Sequence, residues 1–156
     1  ATGGIAHGVL VAHDLGLPFI YVRTSAKDHG MKNTVEGDIT TGRSVVVVED
    51  LVSTGSSSLN AVRALREAGL EVKGMAAVFT YGFDEARKAF EKEKVKLFTL
   101  TNYNILLDQA LRTDHINEKD MAPLNEWRRD PSTWNRPADV AATGSPDKAS
   151  ASSSKT

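Results

Sequence analysis

The 156-residue chain has no cysteine, almost no net charge and no long apolar run. Without thiols it can form neither disulfides nor thiolate metal sites and has no cysteine nucleophile, and we expect a cytoplasmic protein. A formal charge of −1 gives no electrostatic reason to expect nucleic acid or an anionic membrane as a partner. No apolar stretch approaches the ~20 residues that a membrane-spanning helix needs, and no signal peptide is visible. The hydrophobic content of 40% instead indicates an ordinary globular domain.

The most informative segment runs from residue 45 to residue 57. Residues 45–48 are four valines, which predict a central strand buried on both faces. Two acids, Glu49 and Asp50, come next, and helical periodicity begins at Leu59. The residues between Asp50 and Leu59 are mostly small: Leu51, Val52, Ser53, Thr54, Gly55, Ser56, Ser57 and Ser58. Small side chains let backbone N–H groups face an anion, and a helix N-terminus adds about half a positive charge. The segment therefore predicts a phosphate cradle beside a pair of acids that binds a sugar or a metal ion.

Two common phosphate-binding loops do not fit this segment. A Walker loop would carry a lysine where Ser56 follows Gly55. The dinucleotide-binding pattern G-x-G-x-x-G is also absent after the strand. Two acids here would repel a polyphosphate unless they bind something else, such as ribose hydroxyls or the waters of a Mg²⁺ ion. An ordinary Ser/Thr-rich turn is the plain alternative, and it has no use for both acids.

Residues 45–57 resemble the phosphoribosyl-diphosphate (PRPP) signature of type I phosphoribosyltransferases. A second stretch, Arg23-Thr24-Ser25-Ala26-Lys27-Asp28-His29-Gly30, is similar to the catalytic loop of orotate phosphoribosyltransferases. The resemblance implies that PRPP is bound by three basic residues, Arg23, Lys27 and His29, and by the signature. The signature residues concerned are Glu49, Asp50, Leu51, Val52, Ser53, Thr54, Gly55, Ser56 and Ser57. It implies catalytic roles for Lys27, His29 and Asp50, and contact of Ser53 with orotate. It also implies a diphosphate-binding turn at Thr2, Gly3 and Gly4.

The chain departs from the family pattern at two places. Some members have a second lysine directly after the arginine, and this chain has Thr24 there. Many members also have an arginine that helps to hold the orotate carboxylate, and the corresponding stretch here is Thr80-Tyr81-Gly82-Phe83. Base recognition beyond Ser53 is therefore open.

The resemblance also implies a reaction and its partners. Orotate and PRPP would give orotidine 5′-phosphate and diphosphate, a step of pyrimidine biosynthesis. Mg²⁺ would be the cofactor, bound through PRPP and, by way of water, through Glu49 and Asp50. The active form would be a homodimer in which the Lys27 loop reaches the partner's site. Two alternatives stay open: a phosphoribosyltransferase for another base, such as a purine, and a non-catalytic PRPP-binding regulator.

The order of predicted elements indicates an α/β fold with a mostly parallel sheet, flanking helices and a protruding two-stranded arm. We predict strands at residues 18–22, 45–48, 72–79 and 95–100, and a mobile loop near residues 27–32. We predict helices at residues 5–15, 59–68, 84–94, 104–111 and 117–128, the last interrupted near Pro123. Residues 1–137 would form the domain, truncated at the N-terminus so that its first strand and hood are missing. Residues 138–156 are predicted to be a disordered tail. Trp127 and Trp134, which flank a pair of arginines, are expected to dock the C-terminal segment rather than stack on bases.

Overall fold

The computed structural model of the chain describes residues 3–23, 34–40 and 44–132. Its helices are α1 (Ile5–Leu15), α2 (Ser56–Glu67), α3 (Asp84–Lys92), α4 (Tyr103–Arg112) and α5 (Glu118–Arg129). Its strands are β1 (Tyr21–Val22), β2 (Val35–Glu36), β3 (Ser44–Val52), β4 (Glu71–Thr80) and β5 (Leu97–Asn102). The predicted α/β fold is confirmed. The predicted tail, as well as Thr2, Lys27, His29 and Trp134, lies outside the described residues.

The main sheet contains β3, β4 and β5 in that order, and both pairings are parallel. Val47 lies opposite Met75, which in turn lies opposite Leu97. Parallel strands end on the same side of a sheet, so the loops after Val52, Thr80 and Asn102 meet at one edge. This carboxyl edge carries the residues singled out by the sequence.

The core lies between the sheet and the helices α2 and α3. Leu59, Val62 and Leu65 form the buried stripe of α2 that the periodicity predicts. Ala86 and Phe90, whose spacing of four residues puts them on one face of α3, are also buried. Gly69, two residues after the end of α2, has a left-handed φ of 84°, which is common just after a helix.

The prediction that the valine strand is buried on both faces is wrong for the described residues. Val47 is 7% exposed, but its neighbour Val46 is 60% exposed. Phe98 and Leu100 of β5 lie on the same face as Val46 and are 66% and 83% exposed. Strand β3 is also an edge strand, and β4 is the central one, in this part of the sheet. Helices α2 and α3 cover one face, whereas a cavity of about 900 Å³, lined in part by α1, opens onto the other. A run of valines without polar alternation does not indicate which face is covered.

The predicted two-stranded arm is confirmed. Strands β1 and β2 pair antiparallel, with Tyr21 opposite Glu36 and Val22 opposite Val35. The Arg23 N–H donates to the carbonyl of Thr34 over 2.8 Å and extends this short ladder. The first strand is only two residues long instead of the five predicted, and it belongs to the arm, not to the parallel sheet.

Helix α5 runs without interruption through Pro123, contrary to the prediction. Proline removes one backbone donor from a helix. A capping box fixes the start of α5, because the Asn117 side chain accepts from Lys119 N and Asp120 accepts from Asn117 N. Packing further along the helix, at Trp127, holds its second half.

Helix α4 buries less than the sequence suggests. The apolar run of Ile105, Leu106 and Leu107 predicts that all three are partly buried. Leu107 alone faces the core at 5% exposure, while Ile105 and Leu106 are 53% and 49% exposed. None of the described helices is long and apolar enough to cross a membrane.

Candidate active site at the carboxyl edge

The predicted phosphate cradle lies between β3 and α2. Helix α2 begins at Ser56, three residues earlier than predicted, and Gly55 is its N-cap. Among the described residues, no side chain caps this helix start, and its first turn contains no acid. Ser56 and Ser57 are exposed. The N–H groups of the first turn are therefore open to an anion.

Gly55 is required by the geometry of this loop. Its φ is 82°, in the left-handed region that disfavours other residues. A Cβ atom at this position would lie 2.7 Å from Cε2 of Phe90, on the neighbouring helix α3. The loop therefore packs closely on α3, and any larger residue would displace it.

The start of the loop is tied to the end of β4. The Thr80 hydroxyl donates to the Val52 carbonyl over 3.1 Å, and the Tyr81 N–H donates to the same oxygen over 3.3 Å. The Gly82 N–H donates to the Thr80 hydroxyl over 3.0 Å. These bonds hold the predicted phosphate loop and the segment after β4 together as one surface.

Glu49 points into the protein and is only 2% exposed. The Ser58 hydroxyl donates to its Oε1 over 2.8 Å, and Ser58 is itself 1% exposed. Burial raises the pKa of the Glu49 carboxyl above its ordinary value, although the hydrogen bond from Ser58 opposes this shift. Glu49 thus stabilises the first turn of α2 through its hydrogen bond with Ser58.

Asp50 points the other way and is exposed. Its Oδ1 accepts from the N–H of Leu51 over 2.8 Å. Its carboxylate also lies directly against Gly3, where any Cβ would collide with it. Of the two acids, Asp50 is therefore the one that presents a carboxylate to a ligand at the carboxyl edge.

The predicted diphosphate turn lies beside Asp50. Gly4 is the N-cap of α1, and a Cβ there would collide with the carbonyl oxygen of Val48. Only glycines allow the backbone to approach β3 this closely. Within the described residues, the start of α1 also has no side-chain cap. The structure thus brings two uncapped helix N-termini to the end of one strand, with Asp50 on that strand.

The remaining predicted site residues are placed less directly. Arg23 lies on the arm, where its Nη1 is 3.3 Å from Oε1 of Glu36. Val52 is fully buried, so its side chain packs in the core and does not face a ligand. Leu51 is 40% exposed, Thr54 is exposed and Ser53 is half-buried. The described residues contain no cluster of three or more acids or histidines that could hold a metal ion by themselves.

One residue at this edge was not predicted to take part in the site. Arg128 of α5 donates from Nε to the carbonyl of Tyr81 and from Nη2 to the carbonyl of Gly82, each over 3.0 Å. Trp127 packs beside it, with ring centroids 5.4 Å from Tyr81 and 5.3 Å from Tyr103. The expected docking of the C-terminal segment is confirmed at Trp127. In the sequence, only the position of Trp127 beside two arginines indicated that this segment docks. It did not indicate that Arg128 contacts the residues after β4.

Comparison with known proteins agrees with this geometry. The family model described as "Phosphoribosyl transferase domain" matches residues 1–109. An orotate phosphoribosyltransferase of Bacteroides fragilis is 59% identical over 134 residues, which are 86% of this chain and 63% of that protein. One from Listeria innocua is 52% identical over 136 residues, covering 87% of this chain and 65% of that protein. The chain thus spans less than two thirds of these relatives.

Solved structures share the fold. The orotate phosphoribosyltransferase of Aeropyrum pernix matches with a TM-score of 0.63 and 32% identity, over 70% of this chain and 60% of that one. UMP synthase of Leishmania donovani also gives a TM-score of 0.63, at 26% identity over 77% of this chain and 26% of that one. The uncapped phosphate loop, the adjacent acid and the family-model match over residues 1–109 lead to one conclusion: the chain belongs to the phosphoribosyltransferase domain family.

Proposed function

We propose that this chain is the catalytic part of an orotate phosphoribosyltransferase, which transfers 5-phosphoribosyl from PRPP to orotate and releases diphosphate. The observation that carries the proposal is the exposed Asp50 carboxylate at the end of β3, the strand at which two uncapped helix starts meet. This arrangement suits a sugar with a phosphate group at each end. The names of the relatives from Bacteroides fragilis and Listeria innocua favour orotate as the base.

In this proposal the backbone does most of the phosphate binding. The 5′-phosphate is bound by Ser53–Ser57 at the start of α2, and the diphosphate by residues 2–4 at the start of α1. Both sites use N–H groups and the positive end of a helix. Holding the two ends of PRPP fixes the anomeric carbon against the incoming base, which lowers the entropic cost of reaction.

The acids and cations act on the charges that develop during transfer. Displacement at an anomeric carbon builds positive charge on the ribose. Asp50 binds the ribose hydroxyls and stabilises this charge, while Glu49 supports α2 through Ser58. Arg23, Lys27 and His29 neutralise the departing diphosphate, a form of electrostatic stabilisation.

Magnesium fits this site as an ion that arrives with PRPP. The donor set offers one exposed carboxylate, Asp50, with Glu49 hydrogen-bonded to Ser58. Mg²⁺ keeps several waters and commonly takes phosphate oxygens with one or two carboxylates. Bound in this way it would offset the charge of the diphosphate, with Asp50 in contact through water.

A base-specificity assay tests the function. The chain is incubated with PRPP and Mg²⁺ and with orotate, adenine or hypoxanthine, and diphosphate release is measured for each. Release with orotate alone is expected. Release with a purine instead identifies a phosphoribosyltransferase for another base. PRPP binding by the chain without turnover of any base, while a full-length relative used as a positive control converts orotate under the same conditions, identifies a regulator.

We further propose a cytoplasmic homodimer in which the Lys27 loop acts in the partner's site. Mixing inactive Lys27→Ala subunits with inactive Asp50→Asn subunits tests this exchange. If each site takes Lys27 and Asp50 from different chains, a mixed dimer has one intact site and activity returns. Confirmed subunit exchange without recovery means that each subunit supplies its own lysine.

A further inference from the structure

A second, smaller cavity opens at the carboxyl ends of β4 and β5. Its volume is about 210 Å³, and its walls include Thr80, Tyr81, Gly82, Asn102, Tyr103 and Arg128. Sites for drug-sized ligands are roughly 300–1,000 Å³. This cavity therefore suits a single ring with polar substituents, and it adjoins the phosphate loop through the Thr80–Val52 hydrogen bond.

The guanidinium of Arg128 is the only charged group lining this cavity among the described residues. Its Nε and Nη2 donate to two neutral carbonyls, Tyr81 and Gly82. Within the described part of the chain, no carboxylate lies within ion-pair distance of it. A guanidinium has five N–H donors, and those left after the carbonyl bonds have no hydrogen-bond partner among the described residues. The cavity thus holds a fixed cation that has no anionic partner among the described residues.

Gly82 makes room for this cation. Its φ is 66°, and a Cβ at this position would lie 3.1 Å from Nη2 of Arg128. A side chain at residue 82 and the guanidinium of Arg128 would therefore compete for the same space. Residues 81–83, which follow β4, include no basic residue. The positive charge at this segment comes instead from Arg128 of α5, which hydrogen-bonds to Gly82.

We propose that Arg128 is a specificity-determining residue that binds the carboxylate of the orotate base. This inference rests on the proposed function and deepens it. A planar guanidinium pairs with a carboxylate through two parallel hydrogen bonds, which fixes the plane of the ligand as well as its position. The carbonyls of Tyr81 and Gly82 hold the guanidinium plane before the ligand arrives. The side-chain NH2 of Asn102 is available to the ring, since only its Oδ1 is engaged, as the N-cap acceptor of α4. The phosphates of PRPP already have the helix starts of α1 and α2, so a carboxylate is the favoured anion.

The test compares Arg128→Gln and Arg128→Lys with Arg129→Gln as the matched control. Arg129 is the next residue of α5 and is exposed. Steady-state rates are measured with orotate and with uracil, which lacks the carboxylate, and PRPP is varied separately. Arg128→Gln should raise the KM for orotate about tenfold or more, which is the loss expected for one charged hydrogen bond. Its KM for PRPP and its rate with uracil should change less than about twofold. Arg128→Lys keeps the charge but cannot form two parallel hydrogen bonds, so its KM for orotate should lie between those of the wild type and Arg128→Gln. Arg129→Gln should match the wild type.

Other outcomes overturn the inference. Equal losses with orotate and uracil mean that Arg128 only docks α5, and a raised KM for PRPP means that the cavity binds phosphate. Thermal denaturation shows whether Arg128→Gln folds. If it does not fold, the KM for orotate of Arg128→Lys tests the proposal instead. Failure of the wild-type chain to bind or convert orotate contradicts the proposed function itself. Conversion of orotate with an unchanged KM in Arg128→Gln contradicts the role of Arg128 alone.

Discussion

Adjacent acids at the end of β3 occupy opposite environments, although the sequence presents them as a pair. Glu49 is buried against Ser58, whereas Asp50 is exposed beside Gly3. Side chains alternate between the two faces of a strand, so neighbours usually diverge. The alternation was predictable, but which acid faced α2 depended on the sheet's packing. We therefore expect their substitutions to have different consequences.

Glu49→Gln should stabilise the protein at neutral pH. Burial raises the pKa of this carboxyl, so its stabilising contribution is present below the ordinary value of 4.5 and is lost as pH rises through the folded-state pKa. Glutamine keeps an acceptor for Ser58 without the charge. The melting temperature of the variant should exceed that of the wild type at pH 7, by about 2–4 °C for each kcal/mol gained. The difference should shrink as the pH falls towards 4.

Glu93→Gln is the matched comparison, because its effect on stability at pH 7 should be opposite to that of Glu49→Gln. Hydrogen bonding and charge from Arg63 hold the pKa of Glu93 below its ordinary value, and Arg66 adds a smaller effect. Its contribution is therefore present at neutral pH and lost in acid, so this variant should be less stable at pH 7. A Glu49→Gln effect that does not vary with pH would show that charge burial is not its cause.

Asp50→Asn should remove activity without unfolding the protein. Asparagine keeps an oxygen that accepts from Leu51 N, and the side chain is exposed. Surface changes of this kind usually alter stability by less than about 0.5 kcal/mol. Turnover of PRPP and orotate should fall at least about tenfold, with a melting temperature close to that of the wild type. Loss of folding together with retained PRPP binding in the soluble fraction would assign Asp50 a structural role.

At the scale of elements, the start of α2 offers a test in which stability and binding move in opposite directions. An acid in the first turn of a helix is favourable by about 0.3–1 kcal/mol. The same acid would repel a bound phosphate. Ser57→Glu should therefore leave the melting temperature unchanged or raised, while weakening PRPP binding at least about tenfold in calorimetry.

Ser57→Ala is the control for this prediction, because it changes the side chain without adding charge. It should affect PRPP affinity much less than Ser57→Glu. Unchanged affinity in Ser57→Glu would place the 5′-phosphate elsewhere. Substitution of Gly55 is a poorer test, since its left-handed backbone and its contact with Phe90 would disturb the loop by themselves.

The elements themselves were largely predictable from sequence. Helix α1 has the predicted bounds, since Gly4 and Gly16 punctuate an apolar stretch. The start of α2 was placed three residues late, because serines at a helix start look like loop residues. Helix α5 continues through Pro123 because distant contacts of Trp127 outweigh a local signal. The first of these errors is local, whereas the second comes from contacts between residues far apart in sequence.

At the scale of the whole molecule, one face of the parallel sheet is uncovered in the described structure. Val46, Phe98 and Leu100 expose apolar side chains there. Exposed apolar patches bind hydrophobic probes and promote association. Leu100→Lys should therefore reduce the binding of a dye such as ANS and leave the melting temperature almost unchanged, because Leu100 is 83% exposed.

Val47→Lys is the contrasting variant on the covered face. Val47 is 7% exposed and lies opposite Met75 in the core. A charge buried there should lower stability strongly and increase dye binding. Unchanged dye binding in Leu100→Lys would mean that the dye reports another surface.

The architecture followed from the alternation of strands and helices, and the phosphate loop from its small residues and acids. The role proposed for Arg128 did not follow, because its place depends on α5 folding back over β4 across more than forty positions, as the Arg128–Tyr81 hydrogen bond shows. The exposure of one face of the sheet was also not predicted, because a run of four valines is compatible with a strand covered on one face or on both.

The docking of α5 gives the protein a built-in optical reporter. The chain has two tryptophans, so a Trp134→Phe variant emits from Trp127 alone. The Trp127 ring lies 5.3–5.9 Å from the rings of Tyr81, Phe83 and Tyr103. Energy transfer from the tyrosines and the emission wavelength of Trp127 would then register whether α5 is seated. Fluorescence could follow detachment of this helix separately from melting of the sheet, which circular dichroism reports. Filling of the neighbouring cavity would be read from the same signal.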